Sequence, residues 1–135
     1  MRSTIELSGR TVQLCNSIYA QLVYKQQFHR DLIPSYVRLT ALARDMQALS
    51  GDETDEAEET YEDTSEDKAY KILEMFTELQ TGYFEILWAY AVAADKSMPP
   101  LEDWLYEYGD AEFKDVSAAV NSLTSAMIKT DRKNV

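Results

Sequence analysis

Few residues in this chain are equipped for chemistry. Cys15 is the only cysteine and His29 the only histidine. A thiol beside an imidazole is the nucleophile–base pair of covalent catalysis. Such a site also needs a third group to orient the base and donors for the developing charge, and neither is marked out by type or spacing. The plainer reading is a small core residue at Cys15 and a loop residue at His29. One cysteine also leaves no intrachain disulfide and no thiolate cage for a metal, which fits a reducing compartment.

Carboxylates are the other reactive supply. From Asp52 to Asp67 there are ten of them and no base. A calcium loop of the EF-hand type needs oxygen donors at alternate positions, glycine at the sixth and glutamate at the twelfth. Counted from Asp52, those places hold Ala57 and Asp63, so the pattern fails. Glycine-rich phosphate loops, HExxH and GxSxG are missing as well. We therefore expect no catalytic residue, no metal and no cofactor. The chain reads as a protein that is not an enzyme.

Charge narrows the partners. The chain has 24 acidic and 13 basic residues, a formal net charge of −11. That field repels phosphate backbones and anionic bilayers, so neither nucleic acid nor membrane is expected as a partner. The excess is concentrated in the 52–67 run, and the remainder is nearly neutral. The most apolar stretch, Ile86 to Ala94, is too short to span a bilayer. The opening MRSTIELSGR lacks the long apolar core of a secretory signal, so the expected location is the cytoplasm.

The elements that must carry these residues read as mostly α. Over 1–15, Thr4 to Leu7 and Arg10 to Leu14 alternate apolar and polar around Ser8-Gly9, the signature of a short β-hairpin. Ile5, Leu7, Val12 and Leu14 share its buried face. Over 16–50 two helices follow. The first is capped by Asn16 and buries Ile18, Leu22 and Val23. The second is capped by Asp31, has Pro34 in its first turn, and carries a stripe of Tyr36, Val37, Leu39, Leu42, Ala43 and Met46. Residues 51–67 read as an acidic flexible loop.

A long central helix follows over 68–96, with an apolar row running from Ala69 through Ile72, Leu73, Phe76 and Leu79 to Ala94. Gly82 within it marks a close approach of another helix. Pro99-Pro100 ends it. The segment 101–130 holds two C-terminal helices, Leu101 to Tyr108 stopped by Gly109, and a last one capped by Asp110. Beyond it the polar tail from Lys129 is expected to fray. The result is a single small domain of about four to five helices with an N-terminal hairpin. The aromatic-rich stretch holding Tyr83, Ile86, Trp88 and Tyr90 has two readings: the core of this domain, or an anchor patch for a partner.

Three patterns, in order, resemble the tail assembly chaperones of long-tailed (siphovirus-type) phages and prophages of Gram-positive bacteria. The hairpin IELSGRTVQL runs directly into a helix. The stretch YKQQFHRDLI is similar to the family's aromatic-x-x-x-Phe-Gly-Arg-Asp-Leu junction between its first two helices. The stretch ILWAYAVAADKSMPPLEDWLYEYGD is similar to its apolar helix ending in Ala-Asp, its proline break and its Glu-x-Trp-Leu helix. Phe28, Arg30, Asp31 and Leu32 match the first signature, and Pro99, Trp104 and Leu105 the second, as fold-defining positions. His29 departs from it, standing where the family commonly has glycine. If that position is left-handed, histidine fits less well.

The resemblance implies a non-catalytic role in tail morphogenesis. Such proteins bind the helix-rich tape measure protein, help recruit tail tube protein, and are absent from the mature virion. The location it implies is the cytoplasm of the bacterial host. Many are also made in a longer, frameshifted form, and a polar end from Lys129 to Val135 is compatible with that. Self-association stays open.

Two other readings compete. A structural adaptor, such as a head–tail connector component, would use the same helical core. An acidic DNA-mimic inhibitor would need its carboxylates spread over a rigid surface, whereas here they are gathered in one run.

Overall fold

The computed structural model describes residues 1–51 and 62–133. Strands β1 (Arg2–Leu7) and β2 (Arg10–Cys15) form an antiparallel hairpin, followed by α1 (Ile18–Phe28), α2 (Leu32–Gly51), α3 (Glu62–Ala94), α4 (Leu101–Tyr108) and α5 (Phe113–Lys133). The fold is mostly helical with an N-terminal hairpin, as expected.

Period-2 alternation sets the hairpin register. Leu7 pairs with Arg10 and Ile5 with Val12, leaving a two-residue turn. Ser8 and Gly9 both have positive φ (51° and 78°), the requirement of the tight turns that match strand twist. Leu7, Val12 and Leu14 are fully buried and Ile5 half-buried. An isolated hairpin is marginal in water. This one lays β2 on α3, and its turn reaches α4. There Ser8 Oγ donates to Asp110, and Arg10 pairs with Glu107.

The helix α3 is the hub, and every other helix packs on it. Its C-terminal half is apolar nearly all round, and Tyr83, Phe84, Ile86, Leu87, Trp88, Ala89, Tyr90 and Ala91 are all buried. The predicted close approach falls where expected: a Cβ built on Gly82 would stand 2.6 Å from Leu39 Cδ2. So α2 and α3 cross here with no room for a methyl group. The helix ends at Ala94, where Asp95 accepts from the Ser97 N–H at 2.9 Å and from its hydroxyl at 2.7 Å. Pro99-Pro100 then blocks its continuation.

Several local expectations are corrected. The first helix is N-capped by Ser17, not Asn16. Asn16 is buried, and its Nδ2 donates 2.7 Å to the Leu123 carbonyl of α5. The buried face of α1 is Ala20, Val23 and Tyr24, while Ile18 (76% exposed) and Leu22 face outward. Asp110 is not the cap of α5, because that helix opens on the Glu112 carbonyl and Asp110 holds the hairpin turn instead. The central helix begins at Glu62, not at 68. Carboxylates are favourable in the turns that open a helix, where its dipole is positive. Of the expected acidic loop, residues 52–61 lie outside the described residues, while 62–67 are helical. The last helix, α5, continues through Lys133, and residues 134–135 of the tail lie outside the described residues.

Candidate functional site

The first signature segment forms a built junction between α1 and α2. His29 ends α1 in the left-handed conformation (φ 57°, ψ 36°), its N–H donating to the Lys25 carbonyl at 2.8 Å. This position does require the backbone geometry that favours glycine. Asp31 takes the capping position in backbone terms, since its carbonyl accepts from the Ser35 N–H at 3.2 Å. Its carboxylate lies 3.1 Å from Lys25 Nζ. Leu32 is fully buried.

Arg30 gathers the rest. Its Nε donates to Tyr24 Oη at 3.1 Å, and its Nη2 lies 2.9 Å from Glu85 Oε1. The guanidinium also covers the rings of Phe28 (5.3 Å) and Tyr24 (5.6 Å). Burial pushes the Glu85 carboxyl above its ordinary value, and the Arg30 charge offsets part of that rise. Phe28 in turn meets the edge of Trp88, with ring centroids 6.2 Å apart.

The second signature joins the first through Trp88. Its indole N–H donates to the Pro99 carbonyl at 3.1 Å. Trp104 is fully buried, edge-on to Phe84 and tilted against Tyr108. Its Nε1 has no hydrogen-bond partner among the described residues. Leu105 is half-buried beside it. The two distant sequence segments thus both pack against α3, linked through Trp88.

The stretch offered as an anchor patch lies inside. Ile86 and Tyr90 are fully buried, Tyr83 and Trp88 nearly so. Tyr83 Oη donates to Asn121 Oδ1 at 3.1 Å, the same atom that accepts from Tyr36 Oη at 2.9 Å. Tyr90 Oη is hydrogen-bonded to Thr124 Oγ1. A partner meeting the chain in this conformation meets other residues.

Those residues line a trough of about 600 Å³ along the middle of α3. One continuous face of the helix forms it, through Tyr70, Leu73, Thr77, Thr81 and Glu85, with Arg38 of α2 and Arg30 on the far wall. Two ion pairs span it: Arg30 with Glu85, and Arg38 with Glu78, each at 2.9 Å. Tyr70 is 71% exposed and Leu73 62% exposed. From Tyr70 to Glu85 the face runs about 22 Å at 1.5 Å per residue. Val37 is also exposed on α2.

The sequence pattern assigned Leu73 and Val37 to apolar stripes and left Tyr70 unassigned. Nothing in the local spacing distinguished Leu73 from its more buried neighbours. A second uncovered patch lies on α1, where Ile18 shares a shallow pocket with Met1 and Met127 and Leu22 follows one turn on.

Chemically the trough offers contact area and paired charges. Among the described residues no three His, Cys, Asp or Glu side chains converge on a common point. The calcium-loop test at 52–63 falls largely outside the described residues. No helix among the described residues is long and apolar enough to cross a membrane. Comparison with protein-family models, with curated proteins and with solved structures finds no match to this chain.

Proposed function

We propose that this chain is a non-catalytic assembly factor, a tail assembly chaperone that holds a helix of a tape measure protein and helps bring tail tube subunits to it. The observation that supports this reading is the uncovered trough on α3. The helix buries its apolar side chains from Tyr83 to Ala91 yet leaves Tyr70 and Leu73 in solvent on its N-terminal half. A protein that covers another chain's amphipathic helix needs such a surface, since helix-in-groove binding works by apolar anchors at i, i+3 and i+4. Ten carboxylates over 52–67 oppose aggregation of a chain that exposes apolar surface.

The partner's identity comes from the resemblance of the YKQQFHRDLI and LEDWLYEYGD segments, and the surface comes from the trough. A connector-like adaptor is the second reading, favoured by the separate patch at Ile18 and Leu22, because an adaptor needs two faces. Mass spectrometry of purified phage particles separates the two. A chaperone is abundant in infected-cell lysate and missing from particles, whereas an adaptor is retained in them at fixed stoichiometry.

A further inference from the structure

We infer that the α2–α3 trough is a docking site for one amphipathic helix that is apolar on one face and basic toward one end, laid alongside α3 with the basic end at Asp67. This deepens the chaperone reading and rests on it for the partner's class, though not for the location of the site.

Shape points to a helix. The lining runs along a single face of α3 for four turns, is open along its length, and carries its most exposed apolar side chains at Tyr70 and Leu73. A small molecule is ordinarily enclosed by its pocket. A trough about 22 Å long matches about 15 residues of helix. Beside it, sharing Tyr70, Glu74 and Glu78, a second shallow cavity adds Leu42, Met75 and Asp67. Together they extend the apolar floor toward the start of α3.

Charge points to a basic end. Within the trough the two arginines are already engaged by Glu85 and Glu78. Toward the start of α3 the lining adds Asp67 and Glu74 against one base, Lys71. The described lining therefore becomes more acidic along the trough from Arg30 toward Asp67. A second copy of this chain would bring its own acidic ends to that surface, so self-pairing through the trough is electrostatically opposed.

The test uses the full chain and two synthetic helical peptides of about 18 residues. Both share one leucine face; one carries lysines at one end and the other glutamates. Binding is read by fluorescence anisotropy, with spin-label broadening of NMR signals to report the bound orientation. The lysine-ended peptide is expected to bind roughly tenfold or more tightly than the glutamate-ended one, with the gap closing in roughly 0.5 M salt. Leu73→Glu should weaken it by roughly tenfold, and Asp67→Asn with Glu74→Gln should narrow the gap between peptides. These side chains are exposed, so circular dichroism and thermal unfolding of the variants should match the parent chain.

Equal affinity for both peptides overturns the charge assignment. Unchanged binding by Leu73→Glu overturns the site, as does broadening centred on Ile18 and Leu22. A dimer in sedimentation that Leu73→Glu dissociates would show a second copy to be the occupant. The native partner separates this inference from the reading beneath it. If a tape measure protein binds the parent chain and Leu73→Glu equally, the chaperone reading stands and the trough fails. If the peptide behaves as stated and no such protein binds, the trough stands and the chaperone reading fails.

Discussion

Gly82 of α3 lies directly against Leu39 of α2: a Cβ at Gly82 would come within 2.6 Å and 2.7 Å of the two Leu39 methyl carbons. Leu39 is itself 2% exposed, so its methyls would have to shift within the packed interior to admit a Cβ. This contact sets how closely the two walls of the trough approach, and so links a missing side chain to the shape of the surface.

Gly82→Ala should therefore destabilise the chain. Helix propensity favours alanine by about 1 kcal/mol, but overpacking a filled contact costs roughly 1–3 kcal/mol. We expect a net loss of about 1 kcal/mol in urea unfolding. In a Leu39→Ala background the same change should become neutral or stabilising, because the obstructing methyls are gone. A loss of equal size in both backgrounds would place the strain elsewhere.

His29→Gly should stabilise. A left-handed residue with a Cβ carries about 1–2 kcal/mol of strain, and glycine returns part of that gain as extra freedom in the unfolded chain. The expected net is about 0.5–1 kcal/mol, visible as a shift of the denaturation midpoint with unchanged slope. His29→Val should shift it the other way.

Arg30→Ala should produce a pH-dependent defect. Burial raises the folded-state value of Glu85 and Arg30 opposes that rise. An acid whose folded value is raised contributes stability at acid pH that is lost as pH rises through the folded value. Without Arg30 the value climbs further, so at neutral pH a half-buried carboxylate is left without its counter-charge. The deficit relative to the parent should be greatest near pH 7 and shrink as pH falls toward about 4, the ordinary carboxylate range. A deficit independent of pH would show that Arg30 acts through ring packing on Tyr24 and Phe28 alone.

Thr124→Val should cost roughly 1–3 kcal/mol, because Tyr90 would keep a buried hydroxyl with no partner. Tyr90→Phe together with Thr124→Val should recover most of that loss. Thermal unfolding of the two single variants and the double variant gives the coupling directly.

Much of this fold was legible in short-range pattern. Alternation around Ser8-Gly9 gave the hairpin and its register, Pro99-Pro100 gave the end of the long helix, and Gly82 marked the crossing with α2. What pattern missed depends on distant partners. Asn16 and Asp110 have the residue types of local caps, yet one reaches Leu123 and the other Ser8, contacts that exist only once the chain is folded. Ile18, Leu22 and Leu73 sit at helical spacing with buried residues, but spacing alone does not say where the core ends. That shortfall bears on the site, since the residues left outside are the ones available to a partner.

The most direct measurement is affinity co-purification of the parent chain and of Leu73→Glu with the longest helix-rich protein encoded beside this chain's gene. The account predicts that the parent chain retains that protein in soluble form and that Leu73→Glu, equally well folded, does not. Failure of the parent chain to retain it, with both proteins intact in the lysate, would contradict the account.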